Sequence, residues 1–199
     1  PLAAAFLVSM FALGLWQAAF LAITVAVVAR GIRQGVETAC TILMPVLAVL
    51  MLALMLYAMV EGDLARAFGF LFLPHWEAIS PRAALDALGL GFFSIGVGMG
   101  VMITYAAYAG ESFDLTRAAV TTLAGDTAIS LMAGIAIFPI VFAEGLDPAG
   151  GANLMFLTLP IAFGDLPFGD LVGAAFFLLL FVAGLASAIS LVEVVAAPV

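Results

Sequence analysis

The chain has 199 residues, of which 66% are hydrophobic and only 9% are charged. Soluble globular domains carry about 25% charged residues, so this composition excludes them and indicates a membrane protein. Five basic residues, all arginine, stand against thirteen acidic ones and give a net charge of −8. This balance excludes the basic face that nucleic-acid binding requires. The single cysteine, Cys40, excludes an internal disulfide.

Five segments are long and apolar enough to cross a bilayer, which takes about 20 residues. They cover residues 7–29, 38–60, 87–110, 118–143 and 171–195. Residues 61–86 and 144–170 are predicted to be outer loops. Residues 148–164 are short for a span and are interrupted by glycines and a proline, so we predict a re-entrant or surface-lying loop there. We expect residues 1–199 to form a single partial membrane domain.

The distribution of arginine predicts the orientation of these segments. Arg30 and Arg33 lie in the first short loop and Arg117 lies in the loop before residue 118, whereas residues 144–170 carry four acids and no base. Basic residues in short loops favour the cytoplasmic side. We expect a multi-pass protein of the cell inner (plasma) membrane. Because the chain begins within apolar sequence, we also expect a piece of a longer transporter-sized protein.

The third segment contains three glycines at every second position, Gly96, Gly98 and Gly100. Each glycine costs roughly 1 kcal/mol against alanine inside a helix. Unwound backbone at membrane depth is tolerated only where it is buried in protein or lines a cavity, and its freed polar groups can then bind ligands. The pattern predicts a discontinuous helix over residues 87–110.

Asp126 is the only charged residue of the fourth segment. A carboxylate at the centre of a span costs about 2.5–3.5 kcal/mol and usually faces a partner or a cavity. It is a candidate cation ligand, proton relay or fixed negative charge; the alternative is an aspartate capped by Thr127 and Ser130 near a helix end. Ser94, just before the glycines, suits a hard cation that prefers oxygen ligands, or else bonds back to its own helix.

Three further features have both a functional and a packing interpretation. Phe93 and Met99 bracket the glycines and could form the wall of an apolar pocket, although such residues in spans are usually packing. The small residues from Ala183 to Ser187 allow close helix approach. Glu193 is expected near the cytoplasmic end, either solvated or lining an inner vestibule.

Two intramembrane enzyme classes need residues that this sequence does not offer. A serine protease needs a serine–histidine pair in the bilayer, and the only histidine, His75, falls in a loop beside Trp76. An aspartyl protease needs a second acid at the midplane beside Asp126, and the other spans offer no obvious one. We therefore expect no catalytic residue and no enzyme activity.

Several blocks resemble, in chain order, the neurotransmitter:sodium symporter family in its bacterial branch. The most specific are Phe92-Phe93-Ser94 with Gly98-Met99-Gly100, which resemble the unwound sixth helix, and residues 183–190, which resemble the eighth helix. Residues 29–37, 42–45 and 156–160 also match in order. The resemblance implies an all-α transmembrane fold, a partial leucine-transporter-type inverted-repeat bundle in which this chain holds helices four to eight as five spans.

The resemblance also implies ion ligands. Ser94 and Asp126 match one sodium site, and Ala183 and Ser187 match a second. Ala186 stands where the second site usually has a side-chain oxygen, which leaves the number of sodium ions open. Asp126, with Ser130 one turn further on, matches the region of the family's chloride site, and an acidic side chain there implies that chloride is not required.

Substrate contacts are implied in the same way. Phe93 resembles the aromatic lid over the substrate, and the other matching pocket positions are Gly96, Gly98, Met99, Ser187 and Leu191. Glu193 matches an acid along the cytoplasmic pathway.

The resulting hypothesis is sodium-coupled symport of an amino acid or related small amine by alternating access. One alternative is an amino-acid-binding sensor or an inactive transporter-like protein without coupled flux. Another is a proton-coupled transporter that uses Asp126. The expected partners are an amino-acid-like substrate and the lipid bilayer, with no nucleic acid; the oligomeric state stays open.

Overall fold

The computed structural model describes residues 2–74, 76–110 and 113–197, without the side chains of 2–9, 78 and 165. His75 lies outside the described residues. The helices are α1 (Leu2–Val28), α2 (Thr38–Glu61), α3 (Leu64–Phe72), α4 (Pro81–Ser94), α5 (Val101–Ala107), α6 (Leu115–Ala143), α7 (Gly151–Asn153), α8 (Leu159–Asp165) and α9 (Gly169–Ala196). Single π-helical segments precede α2 (Ile32–Glu37) and α8 (Leu154–Thr158), and 3-10 turns cover Trp76–Ala78 and Val97–Met99.

Four continuous helical segments are long and apolar enough to span a membrane. They are Met10–Val28, Ile32–Glu61, Leu115–Ala143 and Gly169–Ala196. The third predicted segment, residues 87–110, is interrupted, because α4 stops at Ser94 and α5 starts only at Val101. Within the described ranges no strand occurs. The prediction of an all-α transmembrane chain with a discontinuous helix is therefore confirmed.

The two predicted outer loops contain helices that the sequence analysis did not place there. Asp63 begins α3 by accepting a hydrogen bond from the Arg66 amide at 3.1 Å. Ser80 begins α4 in the same way, because its hydroxyl accepts a hydrogen bond from the Ala83 amide at 3.1 Å. Pro81 follows at the first helical position. Such caps satisfy the free amides of a first turn. Residues 148–164 are also largely helical, from Gly151 through α8.

Contacts divide the chain into two compact units. The first takes in the chain up to Pro45 together with the segment from Phe181 onward. Here α1 packs on α9 through an edge-on contact of Phe20 with Phe181, whose ring centroids are 5.8 Å apart. Thr24, fully buried, satisfies its hydroxyl by donating to the Phe20 carbonyl at 2.9 Å. This internal bond lets a polar residue lie in an apolar interface.

The second unit is Val46–Leu180. Its short helix α3 packs on α6, where the ring of Phe70 lies 4.8 Å from that of Phe138 and 5.5 Å from that of Phe142. The Asp63 amide donates to the Pro139 carbonyl at 2.9 Å. Aromatic contact and backbone hydrogen bond together fix α3 against α6.

Candidate cation and substrate site

The break in the third segment is made by two left-handed glycines. The last carbonyls of α4 accept hydrogen bonds from amides that follow the helix. The Ile95 amide donates to the Gly91 carbonyl at 3.2 Å, and the Gly96 amide donates to the Phe93 carbonyl at 3.1 Å. Gly96 then takes φ +73° and Gly100 takes φ +76°, on either side of the Val97–Met99 turn. Residues with a side chain rarely adopt this conformation, so these two positions require glycine.

Gly98 has a different role from its two neighbours. Its φ is not positive, and an added Cβ would meet nothing within 4 Å. At Gly96 the same atom would approach the Cβ of Val101 to 3.0 Å. The sequence analysis treated the three glycines alike, whereas the backbone of the break depends on Gly96 and Gly100.

Ser94 and Asp126 meet at the end of α4. The Ser94 hydroxyl donates to Oδ1 of Asp126 at 2.7 Å, although the residues lie 32 positions apart. The alternative in which Ser94 bonds back to its own helix is therefore wrong. Asp126 lies inside the 29-residue helix α6, and Thr127 donates to the Leu123 carbonyl at 2.9 Å. Because Asp126 is not near an end of α6, the alternative of an aspartate capped by Thr127 and Ser130 near a helix end is also wrong.

The local electrostatics favour a cation. The C-terminal end of a helix carries a partial negative charge, and α4 ends at Ser94, next to the Asp126 carboxylate. The available ligands are a hydroxyl, one carboxylate and backbone carbonyls. In the part of the chain that the structure describes, no group of three or more His, Cys, Asp or Glu side chains could hold a metal ion. A carboxylate together with neutral oxygens is a ligand set of the kind that hard cations prefer.

The apolar side chains around the break are uncovered. No residue of α4 is buried, and Phe93 is 65% exposed. Met99 is 38% exposed, and Gly98 also faces open space. Ser130, one turn after Asp126, is exposed. Within this chain the candidate ligands at the helix break therefore lie on an open surface rather than in an enclosed pocket.

The remaining predicted site residues lie on α9 in the first unit. Ala183, Ser187 and Leu191 follow one another at four-residue spacing and so share one face of that helix. Ser187 and Leu191 are exposed, whereas Ala186 and Glu193 belong to the buried side, at 6% and 5% exposure. The structure thus brings Ser94 to Asp126 and aligns the three α9 residues among themselves.

Comparison with known proteins places these features in context. Residues 9–199 match the Sodium:neurotransmitter symporter family. The chain is 37% identical over 183 residues to the uncharacterized sodium-dependent transporter YhdH of Bacillus subtilis strain 168, covering 92% of this chain and 41% of the relative. It is 32% identical to an uncharacterized sodium-dependent transporter of Haemophilus influenzae, covering 88% of this chain and 38% of that protein.

A more distant relative has a more specific name. The chain is 31% identical over 193 residues to sodium-dependent nutrient amino acid transporter 1 of Drosophila erecta, covering 90% of this chain and 29% of the relative. The chain therefore spans less than half of the length of these curated relatives.

Proposed function

Because this chain belongs to the sodium:neurotransmitter symporter family, we propose that it is part of a protein performing sodium-coupled symport of an amino acid or related small amine by alternating access. The observation that carries the proposal is the 2.7 Å hydrogen bond between Ser94 and Asp126 at the broken helix. It supports the proposal because it brings a hydroxyl and a carboxylate together beside the negative end of α4. The names of the relatives support coupling to sodium, and one of these names supports an amino acid as the substrate.

In the proposed mechanism, sodium displaces the hydrogen bond from Ser94 to Asp126, and the hydroxyl keeps its proton. The hydroxyl turns its lone pairs to the ion while the carboxylate supplies the charge. Binding of the cation at the end of α4 fixes the first half of the broken helix. Freed polar groups of residues 95–100 then face the substrate, and the movement of Phe93 closes the outer side.

Asp126 also underlies the proposed independence from chloride. A carboxylate beside a bound sodium neutralises its charge without a separate anion. Ser130, one turn away on α6, is exposed, and we propose that it lies where an anion would otherwise bind. This part of the proposal depends on the formal charge of one side chain.

The exposed α9 face supports a second group of proposed contacts. Ala183 and Ser187 would contribute to a second sodium site, with Ser187 and Leu191 contacting substrate. Since Ala186 has no side-chain oxygen, occupancy of that second site would need water or another ligand. We propose that Glu193 lies along the cytoplasmic pathway of an inner-membrane protein whose residues 61–86 and 144–170 are on the outer side.

The test is uptake by the full-length protein in proteoliposomes. A labelled amino-acid pool is supplied with an inward sodium gradient, and a potassium gradient serves as the control. Sodium-driven accumulation supports the symporter. Accumulation driven only by a pH gradient would replace it with proton coupling through Asp126, and ligand binding without accumulation would replace it with a sensor.

A further inference from the structure

The turn between α8 and α9 contains the one non-glycine residue with positive φ in the described chain. Phe168 adopts φ +57°, and the residue is 81% exposed. A bulky residue in this region is strained and persists only where its surroundings enforce it. Because the exposed ring packs against little, the enforcing contacts must come from the neighbouring backbone.

Two neighbours of Phe168 supply that restraint. Tyr57, near the end of α2, donates its hydroxyl to the Pro167 carbonyl at 2.7 Å across 110 residues of sequence. On the other side, a Cβ at Gly169 would overlap the Phe163 carbonyl oxygen, so the chain passes there in direct contact with the end of α8. The strained residue is thus held between a hydrogen bond and a tight backbone contact.

This turn connects α8 to α9, and the two helices also contact each other through aromatic side chains. Phe163 and Phe176, both 3% exposed, meet edge to face with centroids 5.4 Å apart. Ala162, on the same helix, is only 4% exposed, whereas its neighbour Ile161 is 69% exposed. We expect a displacement of α8 from this arrangement to expose Ala162 and to leave the exposure of Ile161 nearly unchanged.

We propose that Tyr57 is a positioning residue, whose hydroxyl holds the α8–α9 turn in a strained arrangement that relaxes at Phe168 when the bond is released. The bond and the strain act in opposite directions, so loss of the bond should shift the turn toward the released arrangement. Such an element can change arrangement during a transport cycle. That last role rests on the proposed symport; the two-state turn does not.

The test measures the released state directly in the full-length protein, in a background where Cys40 and any other native cysteines are replaced. The rate of alkylation of the Ala162→Cys thiol by a membrane-impermeant maleimide reports the released population, and Ile161→Cys is the reporter control. Tyr57→Phe removes only the hydroxyl. It should raise the Ala162→Cys rate about two- to tenfold, the effect of one hydrogen bond. The Ile161→Cys rate should stay constant.

Matched variants separate this proposal from general loosening. Thr121→Val removes a hydroxyl whose bond, to Arg117, lies within α6, and it should leave the Ala162→Cys rate unchanged. Phe168→Gly removes ring and strain and should lower the rate about fivefold or more, whereas Phe168→Ala removes the ring but keeps the Cβ and the strain. Because the two Phe168 variants do not depend on the Tyr57 variant folding, the proposal remains testable without it.

Two results would overturn the proposal. One is an unchanged Ala162→Cys rate in a folded Tyr57→Phe protein. The other is an equal rate for Phe168→Gly and Phe168→Ala. Alkylation needs no uptake, so failure of this proposal is distinguishable from failure of sodium-driven accumulation.

Discussion

The glycines of the broken helix can be separated by a pair of alanine substitutions. Gly96→Ala places a Cβ on a residue at φ +73° and 3.0 Å from the Val101 Cβ. The left-handed conformation costs about 1–2 kcal/mol. Crowding of a packed contact adds about 1 kcal/mol. We expect Gly96→Ala to lower the free energy of unfolding by about 2–3 kcal/mol.

Gly98→Ala is the matched control, two residues away in the same turn. Its Cβ would meet nothing within 4 Å, and its φ is not positive. Replacing such a glycine restricts the unfolded chain and stabilises by about 0.4–1 kcal/mol. The two variants should therefore differ by at least about 2 kcal/mol, which corresponds to roughly 30-fold in the unfolding equilibrium.

The assay is a thermal unfolding series on the full-length protein in detergent, with and without sodium. Gly96→Ala should unfold at a lower temperature than the parent, and Gly98→Ala at the same or a higher temperature. Equal midpoints for the two variants would refute the assignment of the break to left-handed backbone at Gly96. Stronger destabilisation by Gly98→Ala would refute it as well.

Further predictions concern the polar link and the docking of α3. Asp126→Asn keeps an acceptor for Ser94 but removes the charge, so uptake should fail or become chloride-stimulated; unchanged uptake at all chloride concentrations contradicts the proposed charge role. Ser94→Ala keeps the charge and should raise the sodium concentration for half-maximal uptake about two- to tenfold. Gly62→Ala places a Cβ 2.5 Å from that of Pro139 and should destabilise by about 1–3 kcal/mol. Gly69→Ala, whose nearest contact is 3.7 Å, should not; equal unfolding midpoints for both would contradict the packing argument.

The sequence predicted the features that follow from local chemistry. Long apolar runs identified the membrane segments, and the glycine run identified the interrupted one. Asp126 was recognisable because a charge inside an apolar run needs a partner. Its bond to Ser94 joins residues that are distant in sequence, so pattern alone could suggest the two ligands but could not show that they touch.

The features missed by the sequence analysis depend on short elements or on tertiary contacts. Helix α3 has only nine residues, too few for a membrane signal, although Asp63 is a recognisable cap. The different roles of Gly96 and Gly98 became visible only in backbone angles. Nothing in the sequence marked Tyr57 or Phe168, since a hydrogen bond across 110 residues and a left-handed phenylalanine are outcomes of the fold.

The contact between Asp63 and Pro139 has a consequence for biogenesis. The two residues are 76 positions apart (139 minus 63), and α3 cannot dock before α6 has left the ribosome. At about 5–20 residues per second, α3 waits roughly 4–15 s for its partner. During that interval Phe70 lacks the Phe138 and Phe142 rings that it contacts in the folded chain. We expect the nascent α3 to rest on the membrane surface, where a helix of this kind finds both water and lipid, until the later helix arrives.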